Sequence, residues 1–208
     1  MRKQQHHHLL SLALVLTAFW LSACTATQPA ASEPLTWPQQ KDLLLSKARS
    51  IDQDAYITTI NAISPFPVNS SYSVPFILGA EMNTPSGKGV FIHYDELDKR
   101  QKLKILGQRE GHWPIDPETV QQMPKRLDRV VLGPNDVLAV IGDKAREYAS
   151  KRGDAFFSVQ MTLFLLDTTG RSPYQPPAWI VLIPHPDEIL VFWVDAEKGT
   201  LLEEKIQK

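Results

Sequence analysis

The strongest constraint on the fold is an order of hydrophobic patterns that occurs twice along the chain. Each half contains one stretch with helical periodicity, followed by three stretches with the composition of β-strands. In the first half, Leu44, Ala48, Ile51 and Ala55 recur at spacings of four, three and four residues after Pro38. This spacing predicts a helix with one apolar face, ending before the proline-rich stretch SPFPVNSSYS. Such a face needs a second layer to cover it.

Three strands are predicted after each helix. They consist of apolar and β-branched runs between turn residues, and they cover 74–81, 88–95 and 102–106 in the first half and 156–166, 178–184 and 189–195 in the second. The second helix is predicted within GPNDVLAVIGDKAREYASKRGD, where Val137, Leu138 and Ile141 form one stripe. Between the halves, DPETVQQM indicates a short helix with Asp116 as its N-cap and Pro117 in its first turn.

The predicted fold class is therefore α+β, with two tandem modules of order α-β-β-β. In each module a helix packs across an antiparallel sheet. We place the first module at residues 37–107, a connector at 108–132 and the second module at 133–208. The halves share little residue identity, so the repeat is one of element order.

The first 23 residues have the order of a secretory signal. A basic start at Arg2 and Lys3 precedes an apolar core at residues 9–21, which is short for a membrane-spanning helix. The sequence LSAC, which ends at Cys24, resembles the lipobox of bacterial lipoproteins. That resemblance implies cleavage before Cys24 and attachment of lipid, palmitate included, to this cysteine. The chain is then expected in the cell envelope, anchored to a bacterial membrane.

The segment after the signal is predicted to be a flexible tether over residues 24–36. It is rich in Thr, Ala, Ser and Pro and has hardly any large apolar side chain to bury. Cys24 is the single cysteine of the chain, so an intrachain disulfide is excluded. By resemblance to lipoproteins retained in the inner membrane, an aspartate directly after the cysteine would keep the protein there. Thr25 occupies that position instead, so the outer membrane stays an alternative destination.

The charge balance argues against nucleic acid as a partner. Loss of Arg2 and Lys3 with the signal leaves 20 of the 22 basic residues against 23 acidic ones, a net charge of −3. A nucleic-acid-binding surface needs a basic face to neutralise phosphates, and this composition does not favour one.

The second half carries a family resemblance. The helix DVLAVIGDKAREYA, the strand beginning Pro177-Ala178-Trp179 and the closing strand that ends VDAEKG at Gly199 resemble the PepSY domain, a small helix-plus-sheet module of secreted bacterial proteins and peptidase propeptides. The resemblance covers about 70 residues, and the first half is similar in element order alone. It implies a non-catalytic module that binds or restrains an envelope protein, such as a peptidase, with no cofactor.

Candidate catalytic residues are sparse. No serine lies in a Gly-x-Ser-x-Gly turn, and His93, His112 and His185 lack the short regular spacing of zinc ligands. His93 and Asp95 are alternate residues of a predicted strand and so share a face, and His112 could approach them from the connector. A hydrolase or metal-dependent enzyme built on these three residues is the alternative function.

Three aromatic residues of the last strands are the candidate partner contacts. They are Trp179, Phe192 and Trp193. Neighbours in a strand point to opposite faces of the sheet, so Phe192 and Trp193 can both be buried only if both faces are covered. An exposed member of this set predicts a protein-binding surface. We therefore expect a binding or inhibitory module, with an enzyme and a structural spacer of an envelope assembly as alternatives.

Overall fold

A computed structural model describes a set of segments between residues 34 and 208, which contains all the helices and strands discussed below. These segments are residues 35–64, 68, 74–84, 88–95, 103–110, 117–154, 156–165 and 177–208. The lipobox, most of the predicted tether and His112 lie outside the described residues.

Both halves begin with a helix and continue as a meander of four strands. The elements of the first half are α1 (Trp37–Ile51), β1 (Tyr56–Ile63), β2 (Ile77–Asn83), β3 (Lys88–Asp95) and β4 (Leu103–Glu110). Helix α2 (Pro117–Arg129) joins them to the elements of the second half, which are α3 (Pro134–Lys151), β5 (Gln160–Phe164), β6 (Ala178–His185), β7 (Glu188–Asp195) and β8 (Leu201–Gln207). The α+β class is confirmed, whereas the order within each half is α-β-β-β-β and not the predicted α-β-β-β.

The two halves share one antiparallel sheet of eight strands. The strand order is β4-β3-β2-β1-β5-β6-β7-β8, which is symmetrical about the central β1–β5 pair. That pair runs from Thr59 opposite Phe164 to Ile63 opposite Gln160. Edge-to-edge pairing therefore joins the predicted modules, and the boundaries drawn between them at residues 107 and 133 stay predictions.

The first strand that was not predicted is β1, because its residues were included in the predicted first helix. Helix α1 begins with the Thr36 backbone N–H donating to Gln39 Oε1 at 2.8 Å, and it ends at Ile51, four residues before Ala55. The next residues, YITTINAI, are rich in β-branched side chains, which favour an extended backbone over a helix. Ala55 prolonged the helical spacing by coincidence, because it is buried in the core just before the strand.

The second missed strand is β8, whose sequence LLEEKIQ has three charged residues in succession. Its strand conformation depends on pairing with β7, where Phe192 lies opposite Glu204 and Leu190 lies opposite Ile206. Such long-range pairing leaves no local signal in the sequence. The predicted helix at DPETVQQM is confirmed as α2, which extends to Arg129.

The main core lies on one face of the sheet. Leu44 and Ala48 of α1, and Val137 and Ile141 of α3, are fully buried against it. The strand residues that face the helices are apolar, are buried and occupy alternate positions in each strand. They include Ile60, Leu78, Ile92, Leu163, Val181 and Phe192. We call this side of the sheet the helix face, and the opposite side, on which none of the described helices packs, the open face.

The link between α2 and α3 is held by side chains from distant elements. The indole N–H of Trp37 and the ammonium of Lys41 donate to the Val130 carbonyl at 3.3 and 2.8 Å. The indole N–H of Trp179 on β6 donates to the Leu132 carbonyl at 3.0 Å. Burial lowers the pKa of Lys41, and the Val130 carbonyl accepts a hydrogen bond from its ammonium. The link thus ties α1 and β6 together between the two halves.

Gly133 ends this link beneath the Trp37 ring. A Cβ added at Gly133 would lie 2.8 Å from Trp37 Cβ and Cγ, closer than real Cβ atoms approach other atoms. The φ of Gly133 is −84°, which any residue adopts, so the requirement for glycine here is one of space. Trp37 also contacts Trp179, with ring centroids 6.0 Å apart, which limits its freedom to move away.

We expect Gly133→Ala to lower the free energy of unfolding by about 1–3 kcal/mol, the usual cost of an overpacked core. Urea denaturation followed by circular dichroism measures the change. Val131→Ala in the same link is the control, because Val131 is 62% exposed and its truncation should cost less than about 0.5 kcal/mol. Equal effects of the two variants would contradict the close contact between Gly133 and Trp37.

Candidate functional site

The predicted partner contacts lie on opposite sides of the sheet. Trp179 and Phe192 have no exposed surface and belong to the core under the helices. Trp193 points to the open face, where 3% of it is exposed. Trp179, Phe192 and Trp193 are thus all buried, and their assignment as partner contacts stays a prediction. Phe192 and Trp193, which are neighbours in β7, are buried on opposite faces of the sheet.

Trp193 is the centre of a separate apolar cluster, which we call the open-face cluster. Its buried members are Ala178, Val191 and Trp193, and its half-buried members are Phe164, Ile180 and Leu182. The rings of Phe164 and Trp193 are stacked, with centroids 6.3 Å apart and planes 25° apart. Offset stacking of this kind adds to the free energy gained from burial alone. The cluster is thus an ordered surface whose rim is partly exposed.

Strand register explains how β5, β6 and β7 assemble this cluster. Ile180 lies opposite Trp193, and Ala178 lies opposite Phe164. The Phe164 and Trp193 rings, on β5 and β7, thus stack across β6, where the small Ala178 lies opposite Phe164. Cluster members are alternate residues of each strand, so their neighbours in sequence serve the main core.

Polar groups border the open-face cluster on two sides. At the centre of the sheet, the Thr162 hydroxyl donates to Asn61 Oδ1 at 2.9 Å across the β1–β5 pair. At the β8 edge, Lys205 Nζ lies 3.5 Å from Glu203 Oε1. Beyond the central polar pair, Ile63 is 45% exposed. An apolar centre with a polar border has the composition of a protein-binding surface.

Phe164, Ile180 and Leu182 were not among the candidate residues predicted from the sequence, although they belong to the open-face cluster. Alternation in β5 and β6 marks them as the set opposite the main core, which is the signal that could have identified them. The stacked pair could not have been identified, because the register of β5 on β6 decides which residues meet.

The predicted alternative site is only partly described. His93 and Asp95 lie on β3, where they pair with Gly79 and Ile77 of β2, and His112 lies outside the described residues. Among the described residues there is no group of three or more His, Cys, Asp or Glu side chains able to hold a metal ion. A site built on these three residues stays a prediction.

The third histidine belongs to a polar cluster at the end of α3. Glu188 forms an ion pair with Arg152 and accepts a hydrogen bond from the Tyr148 hydroxyl at 3.1 Å. The Arg152 guanidinium lies 3.6 Å from the Tyr148 ring centroid, and His185 Nε2 lies 4.0 Å from Asp154 Oδ2. These contacts attach the last turn of α3 to the β6–β7 hairpin. These contacts give His185 and its neighbours a role in stabilising the fold.

Comparisons with known proteins give little similarity. No family model matches the chain, and no curated protein matches it. A crystal structure described as that of a "putative lipoprotein" from Clostridium difficile 630 is similar with a TM-score of 0.43 and 13% sequence identity, over 79% of this chain and 90% of that one. Similarity at this level carries no argument about function, and the PepSY and lipobox resemblances stay predictions. Of the helices in the described segments, none is long and apolar enough to span a membrane.

The contact between Phe164 and Trp193 can be measured by a double-mutant cycle. We expect Phe164→Leu and Trp193→Leu to show a coupling free energy of about 0.5–1.5 kcal/mol, because each variant removes the same ring contact. The measurement is urea denaturation of the wild type, both single variants and the double variant. A parallel cycle of Phe192→Leu with Trp193→Leu is the control, since these neighbours face opposite sides and should couple less. A larger coupling in the control cycle would show that the stacked pair is wrongly placed.

Proposed function

We propose that this chain is an envelope lipoprotein, anchored by lipid on Cys24, which binds another envelope protein through its open-face cluster and catalyses no reaction. Residues 24–36 form the tether that holds the folded unit near the membrane. The support for anchoring is the signal-like order of residues 1–23 followed by LSAC. The PepSY resemblance of the second half supports a binding or inhibitory role.

The observation that carries the binding function is the distribution of apolar side chains on the sheet. The described helices pack on the helix face, yet Trp193, Ala178 and Val191 are buried on the open face, with partly buried apolar residues around them. A passive spacer gains solubility from polar side chains at such positions. Partly exposed aromatic and aliphatic side chains beside a stacked ring pair are of the kind that protein interfaces use as anchors.

The partner surface that fits this cluster is apolar and comes from a protein segment. Phe164, Ile180 and Leu182 offer side chains without charge, so their desolvation favours an apolar counterpart. The Asn61–Thr162 pair and the Glu203–Lys205 pair on the border can supply hydrogen bonds at the rim. The membrane tether raises the encounter rate with partners in the same envelope layer.

Lipid anchoring is tested by the single cysteine. We expect Cys24→Ala to abolish incorporation of a clickable palmitate analogue and to move the protein out of the membrane fraction, because stable anchoring depends on acyl chains. Thr25→Ala is the matched control and should behave like the wild type. Retention of both label and membrane association in Cys24→Ala would refute anchoring at this residue.

Binding is tested by photo-crosslinking in intact cells. A photoreactive amino acid at Ile180 or Leu182, on the rim of the cluster, should give one discrete crosslinked protein. The same amino acid at Ser150, an exposed residue of α3 on the helix face, is the control and should not give that product. The product should weaken in the Cys24→Ala background, where the tether no longer concentrates the protein at the membrane. Absence of any specific product from the rim positions would favour a spacer over a binding module.

A further inference from the structure

The open-face positions of β6 and β7 form one continuous apolar surface, which we call the apolar stripe. They are the alternate residues from Ala178 to Pro184 on β6 and from Ile189 to Trp193 on β7. The two strands are adjacent, and Pro184 lies directly opposite Ile189. None of these side chains carries a charge. The stripe therefore continues the open-face cluster as far as the β6–β7 hairpin.

Polar side chains border the apolar stripe along both of its long sides. The bordering residues are Gln160 and Thr162 on β5, and Lys205 and Gln207 on β8. Phe164 extends the apolar surface onto β5 at the end away from the hairpin. Between these borders the stripe is two strands wide, about 10 Å, and about 20 Å long.

The stripe becomes more exposed toward the β6–β7 hairpin. At its far end Trp193 is 3% exposed, and Ile180 and Leu182 in the middle are half-buried. Near the hairpin, Ile189 is 36% exposed, and Pro184 opposite it is exposed as well. A partner can therefore reach the stripe from its middle to its hairpin end.

We propose that the apolar stripe binds an amphipathic α-helix of the partner protein, which lies along β6 and β7. This inference rests on the proposed function and names the form of the segment that is bound. A helix with its side chains is about 10–12 Å wide, and about 13 residues span 20 Å, so its apolar face matches the stripe in both dimensions. The polar flanks of such a helix would lie over the polar borders on β5 and β8.

The backbone of β6 and β7 favours a helix over an extended segment as the occupant. Both strands are already paired on both sides, β6 with β5 and β7, and β7 with β6 and β8. An extended segment on this surface would lose water from its peptide groups without gaining hydrogen bonds from the sheet. A helix pairs its own N–H and C=O groups internally, except at its ends.

Area favours a single helix over a second sheet, such as that of another copy of this chain. A standard interface buries roughly 800 Å² on each partner, and the stripe covers only about 200 Å² by its length and width. Two sheets that pack face to face would also have to cover the β5 border, where the exposed Gln160 side chain would lose its water. A single helix can cover the stripe and leave that border in solvent.

Helix α3 shows that a helix lies along these strands on the other side of the sheet. Lys144 Nζ lies 2.6 Å from Glu204 Oε2, and the Tyr148 hydroxyl donates to Glu188 at 3.1 Å. Glu204 lies opposite Phe192, four residues along β7 from Glu188. The two contacts thus follow one another along α3 and along β7. A helix bound to the stripe would repeat this arrangement on the open face.

The form of the bound segment is tested by photo-crosslinking of the full lipidated chain in intact cells. A photoreactive amino acid is placed at Leu182 and, in a second variant, at Ile189, and the labelled partner residues are identified by mass spectrometry. A bound helix should be labelled at residues three, four and seven apart. Label at alternate residues of the partner, or in lipid, would overturn the helix and leave the crosslinked surface established. Absence of any crosslinked molecule from both positions would overturn the proposed function and this inference together.

The position of the helix is tested by substitutions, with the photoreactive amino acid kept at Ile180. Ile189→Lys should lower the yield of the crosslinked protein by about tenfold, because the bound helix would bury the introduced charge. Ile63→Lys is the matched control, since Ile63 is 45% exposed and lies opposite Gln160, beyond the β5 border. Its yield should stay within about twofold of the wild type.

Ile189→Glu separates burial from charge pairing at the same position. It should lower the yield as much as Ile189→Lys does, because loss of water from a buried charge is costly for either sign. Equal losses in Ile63→Lys and Ile189→Lys would overturn the stripe in favour of a broad contact across the open face. An undiminished yield in either Ile189 variant would also overturn it. Circular dichroism of each variant, whose altered side chain is exposed in the wild type, distinguishes lost binding from unfolding.

Discussion

The hydrogen bonds to the carbonyls of Val130 and Leu132 fix the link between α2 and α3 to both halves, beside the β1–β5 pairing that joins their strands. Trp37 and Lys41 bring α1 to this link, and Trp179 brings β6 to it, so elements far apart along the chain meet at two peptide groups. A buried carbonyl without a donor is costly, and a buried indole N–H has the same requirement. Each indole N–H therefore supplies the donor that a carbonyl of the link needs, and the carbonyl supplies the acceptor that the indole needs. The absence of side-chain volume at Gly133 is what allows Trp37 to lie close enough to take part.

With the link fixed, the sheet separates two kinds of surface. Odd and even residues of β6 and β7 serve different purposes: Trp179 and Phe192 stabilise the layer under the helices, while Ile180 and Trp193 build the open-face cluster. A single strand thus contributes to the main core and to the open-face cluster at once. Substitutions in the cluster can be made at alternate positions without touching the main core, which is why the rim residues and not the tryptophans are the informative positions for the proposed contacts.

Local patterns predicted much of the fold. The α+β class, both long helices and six of the eight strands follow from spacing and turn residues, and the α2 helix follows from its Asp-Pro start. The failures have physical causes. In YITTINAI a helical spacing competed with β-branched side chains, and the latter decided the conformation. In LLEEKIQ the strand exists because β7 lies beside it. At the site, the sequence placed Trp193 in one set with Phe192 and Trp179, because the position of the helices decides which face of the sheet each side chain occupies and leaves no local signal.

The symmetrical order of the sheet has a consequence for how the protein forms. Strands β1 and β5 are partners at its centre, and the residues that meet there, Asn61 and Thr162, are 101 positions apart. All the other strand pairs join consecutive strands and can close soon after they are synthesised. A chain that emerges from its N-terminus holds β1 with one side unpaired until β5 follows, so the central seam is the slow, non-local step of assembly. Delay at that step leaves an apolar strand edge open to other chains, and a chaperone that shields such edges would act at this stage.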